Sequence, residues 1–88
     1  MERYMMRIDG KVQGVWFRQS TLKKAKELGL GGFVQNEDGG SVYVEAEGNK
    51  ESLNALIAWC LDGPETASVK AITVVKGPGT GSKEFVVK

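Results

Sequence analysis

Gly32 to Glu47 read Gly-Phe-Val-Gln-Asn-Glu-Asp-Gly-Gly-Ser-Val-Tyr-Val-Glu-Ala-Glu, and this stretch decides the fold. Its centre, Glu37-Asp38-Gly39-Gly40, is a strong turn signal, because aspartate and glycine accept the backbone angles of tight turns. Gly32 to Asn36 before it read as a short strand. After it, Val42, Val44 and Ala46 alternate with Ser41, Tyr43, Glu45 and Glu47. That period of two gives a strand with one apolar and one wet face. The two strands are expected to form a hairpin.

On both sides of the hairpin the period changes. Leu22, Ala25 and Leu28 are spaced by three and stop at Gly29, which predicts a helix. Ser20 and Thr21 lie in its first turns, and Lys23, Lys24, Lys26 and Glu27 are largely its wet side. Downstream, Leu53, Leu56, Ile57, Cys60 and Leu61 fall at i, i+3, i+4, i+7 and i+8, the apolar stripe of a second helix. Asn49 is its expected N-cap, and Asp62-Gly63-Pro64 stops it. At the N-terminus, Tyr4, Met6 and Ile8 alternate with Met5, Arg7 and Asp9 as a half-buried strand does. Val69 to Val75 is rich in β-branched residues and reads as a strand. Gly77 to Ser82 reads as a flexible hairpin linker into a short last strand, Phe85 to Val87. Asp9-Gly10 also fits a hairpin turn leading into a strand through Val12 and Val15. Pattern leaves that reading open.

The order is β-α-β-β-α-β with one short extra C-terminal strand. It predicts an α+β fold, a ferredoxin-like sandwich with two helices on one face of an antiparallel or mixed sheet. In that topology the first two strands are parallel and the third lies between them. Their C-terminal ends share one edge of the sheet. The loop before Arg18 leaves the first strand and Asn36 ends the second, so these two residues are expected to meet.

With 88 residues the chain is read as one small domain, 1–88. Hydrophobic residues at 41% and charged residues at 26% mark it as globular. A net charge of +1 sets up no strong field for nucleic acid or membrane, and neither is an expected partner. No apolar run is long enough to span a bilayer, and Met1 to Arg7 lack the apolar core of a signal peptide. Cys60 is the one cysteine, which excludes an internal disulfide and fits a cytoplasmic setting. A monomer is the simplest expectation. Histidine is absent, so Ser-His-Asp and Cys-His nucleophile activation are excluded, and so is a zinc site of His and Cys. No metal or other cofactor is expected.

The chemistry is concentrated in Lys11-Val12-Gln13-Gly14-Val15-Trp16-Phe17-Arg18, which runs into the first helix. A glycine-bearing loop offers backbone N–H groups, and a helix N-terminus is electropositive. A cation there is mildly unfavourable by itself, by a few tenths to about 1 kcal/mol. The guanidinium of Arg18 makes sense if an anion lies between it and the helix, and its planar fork matches phosphate oxygens.

Each candidate has a plainer reading. Arg18 alone is a solvated arginine, and Asn36 alone is a turn former. Thr21 reads as an ordinary helix residue, with a second reading as a contact to the same anion. Cys60 sits on an apolar stripe with no cationic neighbour, as a core residue does. Glu45 and Glu47 share a wet strand face, and solvation explains them better than paired-carboxylate catalysis. Gly77 to Ser82 lacks the lysine and helix of a phosphate-binding P-loop.

Two segments resemble signatures of the acylphosphatase family. Gly10-Lys11-Val12-Gln13-Gly14-Val15-Trp16-Phe17-Arg18 is similar to the first, and Gly32-Phe33-Val34-Gln35-Asn36-Glu37-Asp38-Gly39-Gly40-Ser41-Val42 to the second. Leu28-Gly29-Leu30 between them and Ala46-Glu47-Gly48 after them also fit. The likeness covers nearly the whole chain, and its family fold is the ferredoxin-like one. It implies hydrolysis of acyl phosphates to a carboxylate and inorganic phosphate. Gln13, Gly14, Val15, Trp16, Phe17 and Arg18 would form the phosphate-binding loop, with Arg18 binding phosphate. Asn36 would hold the attacking water. Small departures occur: Phe33 stands where tryptophan or tyrosine is frequent, Trp16 is at a variable position, and Ser20 replaces a histidine found in some members.

The competing class is a binding module on the same fold. A phosphate- or acyl-phosphate-binding regulatory relative would bind without hydrolysis; the presence of Arg18 and Asn36 argues against it. An RNA-binding version needs aromatics on the middle strands in a basic setting. Tyr4 and Tyr43 are weak candidates for that role.

Overall fold

In the computed structural model, which describes Met1–Lys88, the alternation at Tyr4, Met6 and Ile8 becomes strand β1 (Glu2–Lys11). These three side chains are fully buried. Then come α1 (Phe17–Glu27), β2 (Gly31–Asn36), β3 (Val42–Gly48), α2 (Lys50–Asp62), β4 (Ser68–Pro78) and β5 (Phe85–Val87). The strands form one sheet in the order β4-β1-β3-β2-β5. β3 is antiparallel to both β1 and β2, so β1 and β2 are parallel. β4 is antiparallel to β1, and β5 is parallel to β2. This is the expected β-α-β-β-α-β sandwich with an extra C-terminal strand.

The core lies between one sheet face and the two helices. Tyr4, Met6, Ile8, Val34, Val42, Val44 and Ala46 supply the sheet side. Leu53, Leu56 and Cys60 come from α2, whose start is capped by Asn49 Oδ1 accepting from Ser52 N–H at 2.8 Å. Leu61 departs from the expected stripe and is 57% exposed. Eight residues on from Leu53, at 3.6 per turn, the helix has rotated about 80° off the buried line. Along α1 the buried line is Phe17, Thr21 and Ala25, with Leu22 and Leu28 packed at its margin. Cys60 is a core residue, and burial pushes its thiol pKa up to about 12.

The Asp9-Gly10 hairpin reading is overturned. β1 continues to Lys11 against β4, with a register shift between Asp9 and Gly10. Gly10 has φ +133°, and a Cβ there would run into the main chain at Ser68. The dipeptide is a bulge in a long strand, which turn chemistry alone cannot tell from a hairpin. Val12 and Val15 belong to the following loop, both buried.

Gly77 to Ser82 is not a hairpin linker either. β4 and β5 lie at opposite edges of the sheet, so the chain between them crosses its far end. That crossing overturns the solvated reading of Glu47, which is only 4% exposed. Its carboxylate accepts the N–H groups of Thr80 and Gly81, each at 2.6 Å, and Arg3 Nη1 at 3.1 Å. Arg3 Nε also reaches Glu45 at 2.7 Å, and Glu45 accepts the Tyr43 hydroxyl at 2.6 Å. The Thr80 N–H above all, then that of Gly81 and the Arg3 guanidinium, hold the Glu47 pKa down at about 2. Period-two patterning tells which face a side chain takes, but not what later folds over that face.

Candidate active site

Parallel β1 and β2 end at the same edge, opposite the crossing segment. Between β1 and α1 the chain makes a loop whose end is fixed by Phe17. That side chain is 1% exposed, with its ring centroid 5.8 Å from that of Trp59. Burying it contributes about 1.5–3 kcal/mol. This offsets the cost of the neighbouring backbone, where Trp16, the N-cap residue of α1, takes φ 64° and ψ 16°. A left-handed conformation costs a non-glycine residue about 1–2 kcal/mol. Gly14, also left-handed at φ +72°, is where no side chain opposes that turn. Thr66 Oγ1 pins the loop from outside by donating to the main-chain oxygen of Val15 at 2.9 Å.

The result is a run of free donors. No backbone N–H from Gln13 to Trp16 donates to another part of the chain. Phe17, Arg18 and Gln19 form the first turn of α1, where N–H groups have no intrahelical acceptor. Trp16 provides no side-chain cap, and the first turn holds no acidic residue. Lys24 and Lys26 occupy the last turn, so the helix dipole is complemented at its C-terminus and left open at its N-terminus.

Five of these donor residues, Gly14, Trp16, Phe17, Arg18 and Gln19, line a cavity of about 320 Å³ together with Val12 and Asn36. The expected meeting of Arg18 and Asn36 takes place there, although 18 residues of sequence separate them. Arg18 is half-buried and its Nη1 donates to the main-chain oxygen of Lys88 at 3.0 Å. Lys88 is brought there because β5 runs parallel to β2, so a third strand end arrives at this edge. That contact was missed from sequence, since nothing in Phe85 to Val87 reveals which edge the strand joins.

The remaining candidates divide. Gly14, Trp16 and Phe17 line the cavity. Gln13 and Val15 do not. The Gln13 amide instead turns away and donates to the main-chain oxygens of Glu37 and Ser41, each at 2.8 Å. Its role is to tie the loop to the turn that carries Asn36. Thr21 is fully buried and donates its hydroxyl to the Phe17 oxygen at 2.8 Å, which fits the reading as an ordinary helix residue. Tyr4, a candidate for stacking a base, is buried in the core, and its hydroxyl has no partner. Tyr43 is half-buried against Phe33 with its hydroxyl on Glu45. No helix is long and apolar enough to cross a membrane.

The chain is similar to known proteins over its full length. The acylphosphatase family model matches residues 4–87. An acylphosphatase from Methylococcus capsulatus is 47% identical, with 99% of this chain and 96% of the relative covered. Two solved structures share the fold. An acylphosphatase from Bacillus subtilis matches with a TM-score of 0.97 at 31% identity, covering 100% of this chain and 99% of that one. One from Coxiella burnetii matches at 0.94 and 36% identity, covering 99% and 93%. Loop, arginine and asparagine at one sheet edge, and likeness from end to end, give the same answer: the chain belongs to the acylphosphatase family.

Proposed function

We propose that the chain hydrolyses the carboxyl–phosphate bond of acyl phosphates with Arg18 and the Gly14–Gln19 donors holding phosphate and Asn36 orienting water. The observation that carries this reading is the lining of one cavity by a loop of unpartnered N–H groups, a guanidinium and an amide. Family membership supports the reaction class. The substrate's leaving group is a carboxylate, which departs readily, so no covalent intermediate is needed. Positioning and charge stabilisation then suffice for phosphoryl transfer.

Water held by the Asn36 amide attacks phosphorus in line with the leaving oxygen. The phosphorus–oxygen bond to the acyl group breaks and its electron pair leaves with the carboxylate. The N–H groups and Arg18 stabilise the charge on the equatorial oxygens as this happens. Asn36 cannot accept a proton at neutral pH, although its amide can both donate and accept hydrogen bonds. The water's proton passes to a phosphate oxygen, giving dihydrogen phosphate and the free carboxylate. Inorganic phosphate, sharing the same oxygens, binds as product and competitive inhibitor. On this reading no metal takes part, and one unit spanning residues 1–88 acts as a cytoplasmic monomer.

The test is phosphate release from benzoyl phosphate in excess EDTA, with Asn36→Ala alongside the parent. Turnover by the parent and a fall in kcat of about 10² to 10³ in the variant are expected, as for loss of one preorganised donor. A variant with full activity would remove Asn36 from the mechanism. A folded parent with no turnover would leave phosphate binding as the function, and strict dependence on a metal would contradict the chemistry.

A further inference from the structure

Trp16 is 76% exposed, a large indole on the surface of a small protein. It packs in neither of the fold's aromatic pairs, which are Phe17 with Trp59 and Phe33 with Tyr43. Its backbone is left-handed, a conformation glycine would adopt at less cost. The fold therefore gains little from tryptophan at this position, and backbone strain there favours glycine over any residue with a Cβ. Yet the residue lines the cavity shared by Arg18 and Asn36.

The other apolar lining residues, Val12 and Phe17, are each 1% exposed and present almost no surface. Trp16 is thus the apolar face of the cavity, and Arg18, Asn36 and the N–H groups are its polar face. A phosphate seated on the polar face must direct the rest of its molecule toward the mouth. Resting on the function proposed above, we infer that Trp16 is a specificity-determining residue whose indole stacks on the acyl group, so that flat or bulky apolar acyl phosphates are preferred over acetyl phosphate. Aromatic rings favour offset or edge-to-face packing with an indole, and a methyl group offers too little surface to gain from it.

The experiment compares kcat/KM for benzoyl and acetyl phosphate in the parent, Trp16→Gly and Trp16→Phe, each rate corrected for spontaneous hydrolysis. The ratio of the two values cancels any effect on the loop that both substrates feel. The benzoyl-to-acetyl ratio should fall about fivefold to tenfold in W16G, through KM for benzoyl phosphate, and W16F should restore most of it. Calorimetric affinities for phenylphosphonate and methylphosphonate give the same comparison without turnover, so slow variants still report. An unchanged ratio in W16G, by rates or by affinities, overturns the inference while leaving the hydrolytic reading intact. A folded parent that hydrolyses neither substrate overturns both, and is a different result.

Discussion

Gln13 Nε2 donates a 2.8 Å hydrogen bond to the main-chain oxygen of Glu37, the residue directly after Asn36. Its second bond, to Ser41, closes the other side of the same turn. One amide thus fixes the spacing between the loop that would hold phosphate and the residue that would hold water. Gln13→Met keeps the length and removes both bonds. Since small misplacements of reacting groups can cost up to about 10²-fold, kcat should fall by about 10- to 100-fold. The two lost bonds should also lower stability by about 1–3 kcal/mol, read from urea unfolding. Lost stability with unchanged kcat would make Gln13 a fold residue only.

Arg18→Gln should weaken binding of inorganic phosphate. A hydrogen bond to a charged group contributes about 1.5–3 kcal/mol, so the inhibition constant should rise by about 10- to 100-fold. The measurement is phosphate inhibition, or phosphate affinity by calorimetry where activity is too low. Parent-like affinity would mean that the loop N–H groups hold the anion alone.

Glu47 makes stability depend on acid. Its folded pKa of about 2 lies below the ordinary value of 4.5, so the unfolded chain takes up the proton first. The stabilisation is fully present above about pH 4.5 and is lost as pH falls toward 2. Glu47→Gln should melt below the parent at pH 7, and the two melting curves should converge near pH 2. Parallel curves across that range would show that Thr80, Gly81 and Arg3 do not bind the charge as described.

Tyr4→Phe removes a buried hydroxyl that has no hydrogen-bond partner. Leaving such a group unsatisfied costs about 1–3 kcal/mol, so the variant should be as stable as the parent or more so by up to that amount. Thermal unfolding decides it. A clear loss of stability would reveal a partner for the hydroxyl.

Most of the architecture was legible because local pattern and long-range packing agree. The Leu53, Leu56, Cys60 line, the Asn49 cap and the alternation at Val42, Val44 and Ala46 each bury what their period says. The meeting of Arg18 and Asn36 followed from topology alone. What stayed hidden depends on segments distant in sequence. Glu47 looked solvated because the chain that covers it lies more than thirty residues away. Gly10 looked like a turn because only β4 shows it to be a bulge. A motif gives Gln13 its place in the loop, but it does not reveal that the side-chain amide bonds to the turn after Asn36.

The direction of β5 has a practical consequence for anyone who handles this protein. Because that strand runs parallel to β2, it delivers Lys88 to the side of Arg18, whereas Met1 lies at the far end beside Gly79. A bulky fluorophore carried on Lys88 would therefore stand beside the Arg18 guanidinium and its cavity. The same label on Met1 would hang from the other pole, at most some three nanometres away along the long axis of 30 Å.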